Sequence, residues 1–355
     1  MNSRERVISA MNYSKTDRLP RYDIFLPDFI AEWKEQKNLP EETFIYDFYN
    51  KIDIGCVLAH QEGPFYSRKR IEKRDGNSYH ERDSWGRLLY KKEDAFFEKE
   101  IEAVFADKTM ADKIPFESPL ADERYIELSE QNDKVRKNFA PVAGVLGLYM
   151  GCYRLRGQEQ FLIDLVEDKE FCKHLISRLM DFTMEVGLKV TEETETLDTA
   201  MWVYDEFSSR LGPMFSPDIF EELFLPAYKK MIGCWKSKGM KNFILHCDGN
   251  SLPILDMIID AGFTGIQSLA PTAGMWLPDI KRKYGDKLVL IGGMCNIVTL
   301  ANGTFSDISY EAEAIAEAAK DGGVIIGTHS IDISIPVAKY DYYYSVINTI
   351  DENWM

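Results

Sequence analysis

Asn242-Phe243-Ile244-Leu245-His246-Cys247-Asp248-Gly249-Asn250 opens the stretch that decides the fold. A short, mostly apolar run (242–246) leads into an amphipathic segment (251–261) and then into a second short run, Gly265–Ser268. Apolar runs of this length, separated by amphipathic helices, are what buried parallel strands require, because helices cover both faces of the sheet. The same alternation extends in both directions from about residue 138. It predicts further strands at 142–148, 199–204, 287–291 and 324–327, and helices over 157–193, 217–238, 277–284, 307–320 and 339–351. With 19–25 and 54–58 added, about eight strands result, and strand–helix repetition builds right-handed βαβ units. A closed (β/α)8 barrel, a TIM barrel, is the natural fit. An open doubly wound sheet is the rival, weakened by the lack of a GxGxxG after the first strand.

Residues 1–120 are less regular. The reading there is a helix over 4–11 with Ser3 as N-cap, and a hairpin over 70–92 turning at Asp75-Gly76-Asn77. The charges at Arg68, Lys69, Arg70, Lys73 and Arg74 read as a solvated strand face. With no internal repeat or linker, residues 1–355 form one unit: 1–120 as N-terminal cap, hairpin and first strands, and 138–355 as the regular repeats.

Composition narrows the function classes. The chain has 355 residues, 45% of them apolar and 28% charged, which suits a large packed core. Its 42 Lys and Arg face 58 Asp and Glu, a net charge of −16. Such a chain repels nucleic acid and anionic lipid at long range. No apolar run reaches a membrane span, and the charged start lacks a signal peptide's apolar core, so a cytoplasmic location is expected. The six cysteines show no CxxC spacing and are expected to be thiols.

Active sites of such barrels lie at the C-terminal strand ends. Side chains alternate along a strand, so His246 and Asp248 share one face and Cys247 points the other way. Cys247 becomes the rival if the strand bulges, because one inserted residue flips the alternation. The last strand runs into Gly327-Thr328-His329, where Gly327 is expected to leave room for a ligand and His329 to project past the end. Strand 199–204 ends at Tyr204-Asp205-Glu206, bringing two carboxylates to the rim, read here as catalytic acid–base candidates. Two histidines and one or two carboxylates can hold zinc or another divalent metal with a position open. The expected ligands are His246, Asp248 and His329, with Glu206 as the fourth ligand or as a base beside the metal. Of the remaining histidines, His60 reads as structural, and His80 and His174 as surface positions.

These residues also carry a resemblance. Arg4-Glu5-Arg6-Val7 and Asp17-Arg18-Leu19-Pro20 resemble the "RERV…DRvP" start of the uroporphyrinogen decarboxylase superfamily. Asp83-Ser84-Trp85-Gly86 is similar to its "D-x-WG". Pro141–Gly144 with Gly157–Phe161, Asp205 with Ser216-Pro217, Phe220 and Pro226-Ala227-Tyr228, Ile244–Asn250, and Gly322-Gly323 with His329 resemble later motifs in order. The resemblance implies a (β/α)8 barrel and one of two chemistries. Decarboxylases of the family resemble one another in an RQAGRY loop with two arginines, suited to polycarboxylates. Here the corresponding segment, Arg21 to Phe29, has one arginine and two added acids. The other branch, the corrinoid-dependent methyltransferases, is similar in fold but binds metal through His-x-Cys and a later Cys. Asp248 and His329 stand near those cysteine positions. A His/carboxylate set donates less charge than thiolates and leaves a metal more electrophilic. The implied activity is methyl transfer between a small molecule, favoured as a methoxylated aromatic, and a separate corrinoid protein. Tyr149, Tyr153, Trp202, Tyr204 and Phe207 lie near predicted strand ends, in reach of an aryl ring.

Overall fold

The computed structural model describes residues 1–93 and 98–354. Its main sheet comprises β1 (Arg21–Tyr22), β2 (Leu58–His60), β3 (Ala143–Leu146), β4 (Met201–Tyr204), β5 (Phe243–His246), β6 (Gly265–Ser268), β7 (Val289–Gly293) and β8 (Val324–Gly327). All neighbours pair in parallel, each strand beside the next in chain order and β1 beside β8. The remaining gap, between β1 and β2, is bridged where Tyr22 pairs with Ile54. The Ile54 amide donates to Arg21 O at 3.0 Å, and the Asp23 amide donates to Ile54 O at 3.2 Å. This curled eight-stranded parallel sheet with helical crossovers fits a TIM barrel.

Alternation along the strands sorts their side chains into two cores. Tyr22, Trp202, Ile244, Val289, Ile291 and Ile325 fill the interior. Leu58, Val145, Val203, Leu245, Ile266 and Ile326 face the surrounding helices. The first helix, Ser3–Met11, sends Val7, Ala10 and Met11 into the interior core, and its Ala10 carbonyl accepts the Gly323 amide at 2.9 Å, just before β8. It therefore covers the N-terminal end of the sheet.

Several boundaries differ from the sequence reading. Asn2, not Ser3, is the N-cap of the first helix. Its side chain accepts the Glu5 amide while Glu5 returns the bond, a reciprocal pair open only to the residue three before Glu5. The strand expected over 19–25 is confined to Arg21–Tyr22, and the one at 54–58 pairs chiefly over Leu58–His60. A helix the reading missed, Leu148–Arg156, starts directly after β3, with Leu148, Cys152 and Leu155 buried at helical spacing. The segment 157–193 is two helices, Gln158–Glu167 and Lys169–Thr194, divided at Asp168, whose carboxylate accepts the Phe171 amide. Between β2 and β3, strands Arg70–Asp75, Ser78–Arg82, Leu88–Lys92 and Lys99–Glu102 form a separate antiparallel sheet. Its charges pair among themselves, as in Arg70–Glu72 and Arg82–Glu72.

Candidate functional site

Parity carries His246 inward: Ile244, two residues earlier, belongs to the interior core. Beyond the strand, the chain turns at Gly249, whose φ is +85°. A Cβ there would lie 2.4 Å from Ser209 O, so only glycine lets this turn pack against the loop after β4. Just before the turn, the Asp248 amide donates to Glu206 Oε2 at 2.8 Å. From the other side, Gly327 and then His329 leave β8 on the inward parity. Gly327 does not make room for a ligand, as the sequence suggested; a Cβ at that position would stand 1.7 Å from Tyr22 O. Its role is the close approach of β8 to β1.

His246, Asp248 and His329 converge, with one potential ligand atom from each lying within 4.8 Å of the others. The imidazoles are 5.3 Å apart between centroids, and His329 Nε2 stands 3.2 Å from Asp248 Oδ2. His246 is almost wholly buried, whereas Asp248 and His329 are partly open to the mouth. The second oxygen of Asp248, Oδ1, is buried without a hydrogen-bond partner. An orphaned carboxylate oxygen beside two imidazoles is a donor set that fits a divalent cation, since burial of such an atom otherwise goes uncompensated.

Glu206 lies beside this triad. Its Oε1 is 2.8 Å from His246 Nε2, and its Oε2 accepts the Asp248 amide at 2.8 Å. His246 Nδ1 faces Gln267 Oε1. Burial works against a charge on His246, but the contacts with Glu206, Asp248 and Gln267 outweigh it and raise the pKa. Burial pulls the Asp248 carboxyl up, yet His329 and His246 hold it well below the usual range. Gln267 was not foreseen. Its signal was a lone amide in a short strand, and the parallel register sets it opposite His246.

The other expected site residues fall elsewhere. Asp205 is fully buried on the opposite face from Glu206. Its oxygens accept the amides of Tyr149 (3.0 Å) and Met150 (2.7 Å) and the hydroxyl of Tyr228. It anchors the N-terminus of helix Leu148–Arg156 rather than facing the mouth. Burial pushes its carboxyl up to about 7 in spite of those three bonds. Tyr149 and Phe207 are core residues, packed on Phe215 and other rings. Tyr153, expected at a strand end, instead lies on that helix, its ring 5.5 Å from Tyr149. Trp202 is buried in the barrel interior, stacked on Tyr22 at 5.5 Å. Of the five expected aromatics, Tyr204 touches the triad, its ring 4.9 Å from that of His246. Cys247 keeps its outward parity, buried in the outer core with Sγ donating to Asp248 O. Two consecutive non-glycine residues, Ser268 (φ +106°) and Leu269 (φ +55°), hold left-handed backbone at the mouth end of β6.

A cavity of about 450 Å³ adjoins the triad, lined by Asp248 and His329 and walled by Ala270, Pro271, Met294 and Ile297. Arg210 is its one arginine or lysine. Arg21, the one arginine of the segment that corresponds to the decarboxylases' arginine loop, points outward to Asp351 and Asn348.

The sequence profile described as Uroporphyrinogen decarboxylase (URO-D) matches residues 140–349, more than half of the chain. The chain belongs to the uroporphyrinogen decarboxylase family. No curated protein matches it. Among solved structures it is similar to a methyltransferase from Methanosarcina mazei, with a TM-score of 0.67 and 16% identity over 99% of each chain. That likeness is one of fold. Among the described residues, no helix is long and apolar enough to cross a membrane.

Proposed function

We propose that this family member is a metal-dependent methyltransferase, moving a methyl group between a small molecule and a separate corrinoid protein in the cytoplasm. The observation that carries the proposal is the convergence of His246, Asp248 and His329 within 4.8 Å at the mouth of the barrel. These three would hold zinc or another divalent ion. Bound there, the ion supplies a Lewis acid that draws charge from the heteroatom losing its methyl group.

The chain's own residues prepare the site. Gln267 and Glu206 face the two ring nitrogens of His246 and fix the ring plane. Glu206, 2.8 Å from His246 Nε2, would take up that nitrogen's proton on ligation and so act as a base beside the metal, or would itself serve as the fourth ligand. Asp248 is kept ionised by the two imidazoles.

The cavity of about 450 Å³ accommodates a single-ring substrate, and a methoxylated aromatic remains the favoured one. Its apolar contacts come from Pro271, Met294 and Ile297, and of the five expected aromatics Tyr204 stands beside it, against His246. A polycarboxylate is disfavoured because Arg21 is engaged by Asp351 outside the barrel. Leu211, Leu252, Ile297 and Ile333 stand exposed on loops after β4, β5, β7 and β8. They offer apolar side chains on the cavity's end of the sheet to a partner that carries the corrinoid.

The test is metal analysis of protein purified without a His tag, paired with an assay of methyl-cobalt absorbance. The protein is mixed with reduced corrinoid protein and a panel of methoxylated aromatics. Wild type should carry about one divalent ion per chain and form methyl-cobalt, whereas His246→Ala should lose both and keep its circular dichroism. Release of CO₂ from uroporphyrinogen without any methyl transfer would overturn the proposal.

A further inference from the structure

Outside the barrel, a second cavity of about 430 Å³ lies between the end of β2, the antiparallel sheet and helices Ile126–Asn138 and Leu148–Arg156. Most of its charges are already matched. Lys69 pairs with Glu62 at 2.6 Å, Lys91 with Glu81 at 3.0 Å, and Arg87 with Asp83 at 2.7 Å. Arg124 donates to Gly63 O at 3.0 Å and lies 3.5 Å from Glu117. Among the lining cations Arg154 is the exception, as Glu123 and Glu127 are among the acids. Among the described residues it makes no ion pair, and its buried Nε has no partner. Its guanidinium sits 5.7 Å from the centroid of the Trp85 ring, and Trp85 is itself pinned by an indole bond to Gln61 O at 2.9 Å.

His60 lines the same cavity with a second unsatisfied group. The residue is only 5% exposed, and its Nε2 has no hydrogen-bond partner. Its ring is held 4.7 Å from Tyr125. Burial, helped by Arg124 and Lys69, takes its pKa down to about 4, so at neutral pH the ring is uncharged and offers one N–H. A guanidinium Nε and an imidazole Nε2, both buried without a partner and on side chains that line one polar cavity, call for an acceptor.

We propose that this cavity is a binding site for a small polar monocarboxylate, its carboxylate held by Arg154 and His60. Arg154 is the one lining cation that no carboxylate engages among the described residues, so a single negative charge is the most the cavity takes. The six lining carboxylates, Glu62, Glu81, Asp83, Glu98, Glu123 and Glu127, would repel a dianion such as phosphate. Gln61 and Gln131 supply polar walls for the rest of the ligand. The site stands apart from the metal triad and does not depend on the proposed methyl transfer.

Titration of the full-length protein with glycolate, acetate and inorganic phosphate tests this. The readouts are the ¹⁵N signals of the His60 imidazole and the Trp85 indole. Glycolate should shift both signals, acetate more weakly, and phosphate neither. Arg154→Met should raise the glycolate Kd about tenfold or more, the effect of losing a charge-assisted pair. His60→Phe, which keeps a ring against Tyr125, should weaken binding in the same direction and guards against a folding defect in the first variant. His246→Ala should leave the Kd unchanged. The proposal falls if glycolate moves neither signal, if phosphate binds more tightly than glycolate, or if both cavity variants leave the Kd within about twofold of wild type. Loss of glycolate binding in His246→Ala would assign the ligand to the barrel instead.

Discussion

Replacing Asp205 with alanine should unfold the protein more readily than any change at its neighbour Glu206. The two carboxylates are adjacent in sequence but lie on opposite faces of the chain. Asp205 accepts three buried donors: the amides of Tyr149 and Met150 and the Tyr228 hydroxyl. Removing the acceptor strands all three, at about 1–3 kcal/mol for each buried unsatisfied group. Allowing for partial rearrangement, the loss should be about 3–6 kcal/mol, a large share of a typical stability of roughly 5–15 kcal/mol. Glu206 is part-exposed and touches His246 and the Asp248 amide. Glu206→Gln keeps its shape, so its cost should stay near about 1 kcal/mol while activity and metal affinity fall. Urea unfolding followed by tryptophan fluorescence and circular dichroism measures both variants. If Asp205→Ala loses less than about 1 kcal/mol, or keeps its midpoint but loses catalysis, the anchoring role is wrong and Asp205 belongs to the chemistry.

Two further outcomes follow from buried groups. Cys247→Ser should leave metal content unchanged, because the thiol faces the outer core; elemental analysis showing loss of the ion would restore the cysteine as ligand. Asp23, bonded to Thr328 and Tyr340, has its carboxyl raised by burial from an ordinary 3.8 to about 6. The folded chain therefore holds that proton more tightly than the unfolded one, and stability is greatest at low pH and lost as pH rises through about 6. Relative to Asp23→Asn, wild type should lose about 1.4 kcal/mol between roughly pH 5 and pH 8. Parallel pH profiles in urea would refute the assignment.

The alternation of short apolar runs and amphipathic segments was sufficient to read the parallel sheet, because a strand covered on both sides must be apolar along its whole length. Period-two alternation likewise put His246 and Asp248 on one face and Cys247 on the other, and the end of the last strand put His329 at the mouth. The first two strands were less legible. Arg21–Tyr22 and Leu58–His60 are too short for periodicity to mark their limits, and their register comes from β8 and β3 beside them. Helix Leu148–Arg156 was hidden because its apolar residues continue directly from the strand without a polar break.

The sequence by itself determined which residue types stand at the strand ends and which face each one takes, since both follow from backbone geometry that local order dictates. Only the tertiary structure decided which of those groups meet. Glu206 found His246, whereas Asp205 found a helix N-terminus. Tyr149, Trp202 and Phe207 went into the cores while Tyr204 stayed beside the triad. Arg21 turned to Asp351, and His60 and Arg154 came to share a cavity. These outcomes depend on contacts between residues far apart in the chain, where packing and the need to satisfy buried polar groups decide the partner and one-dimensional pattern carries no distance.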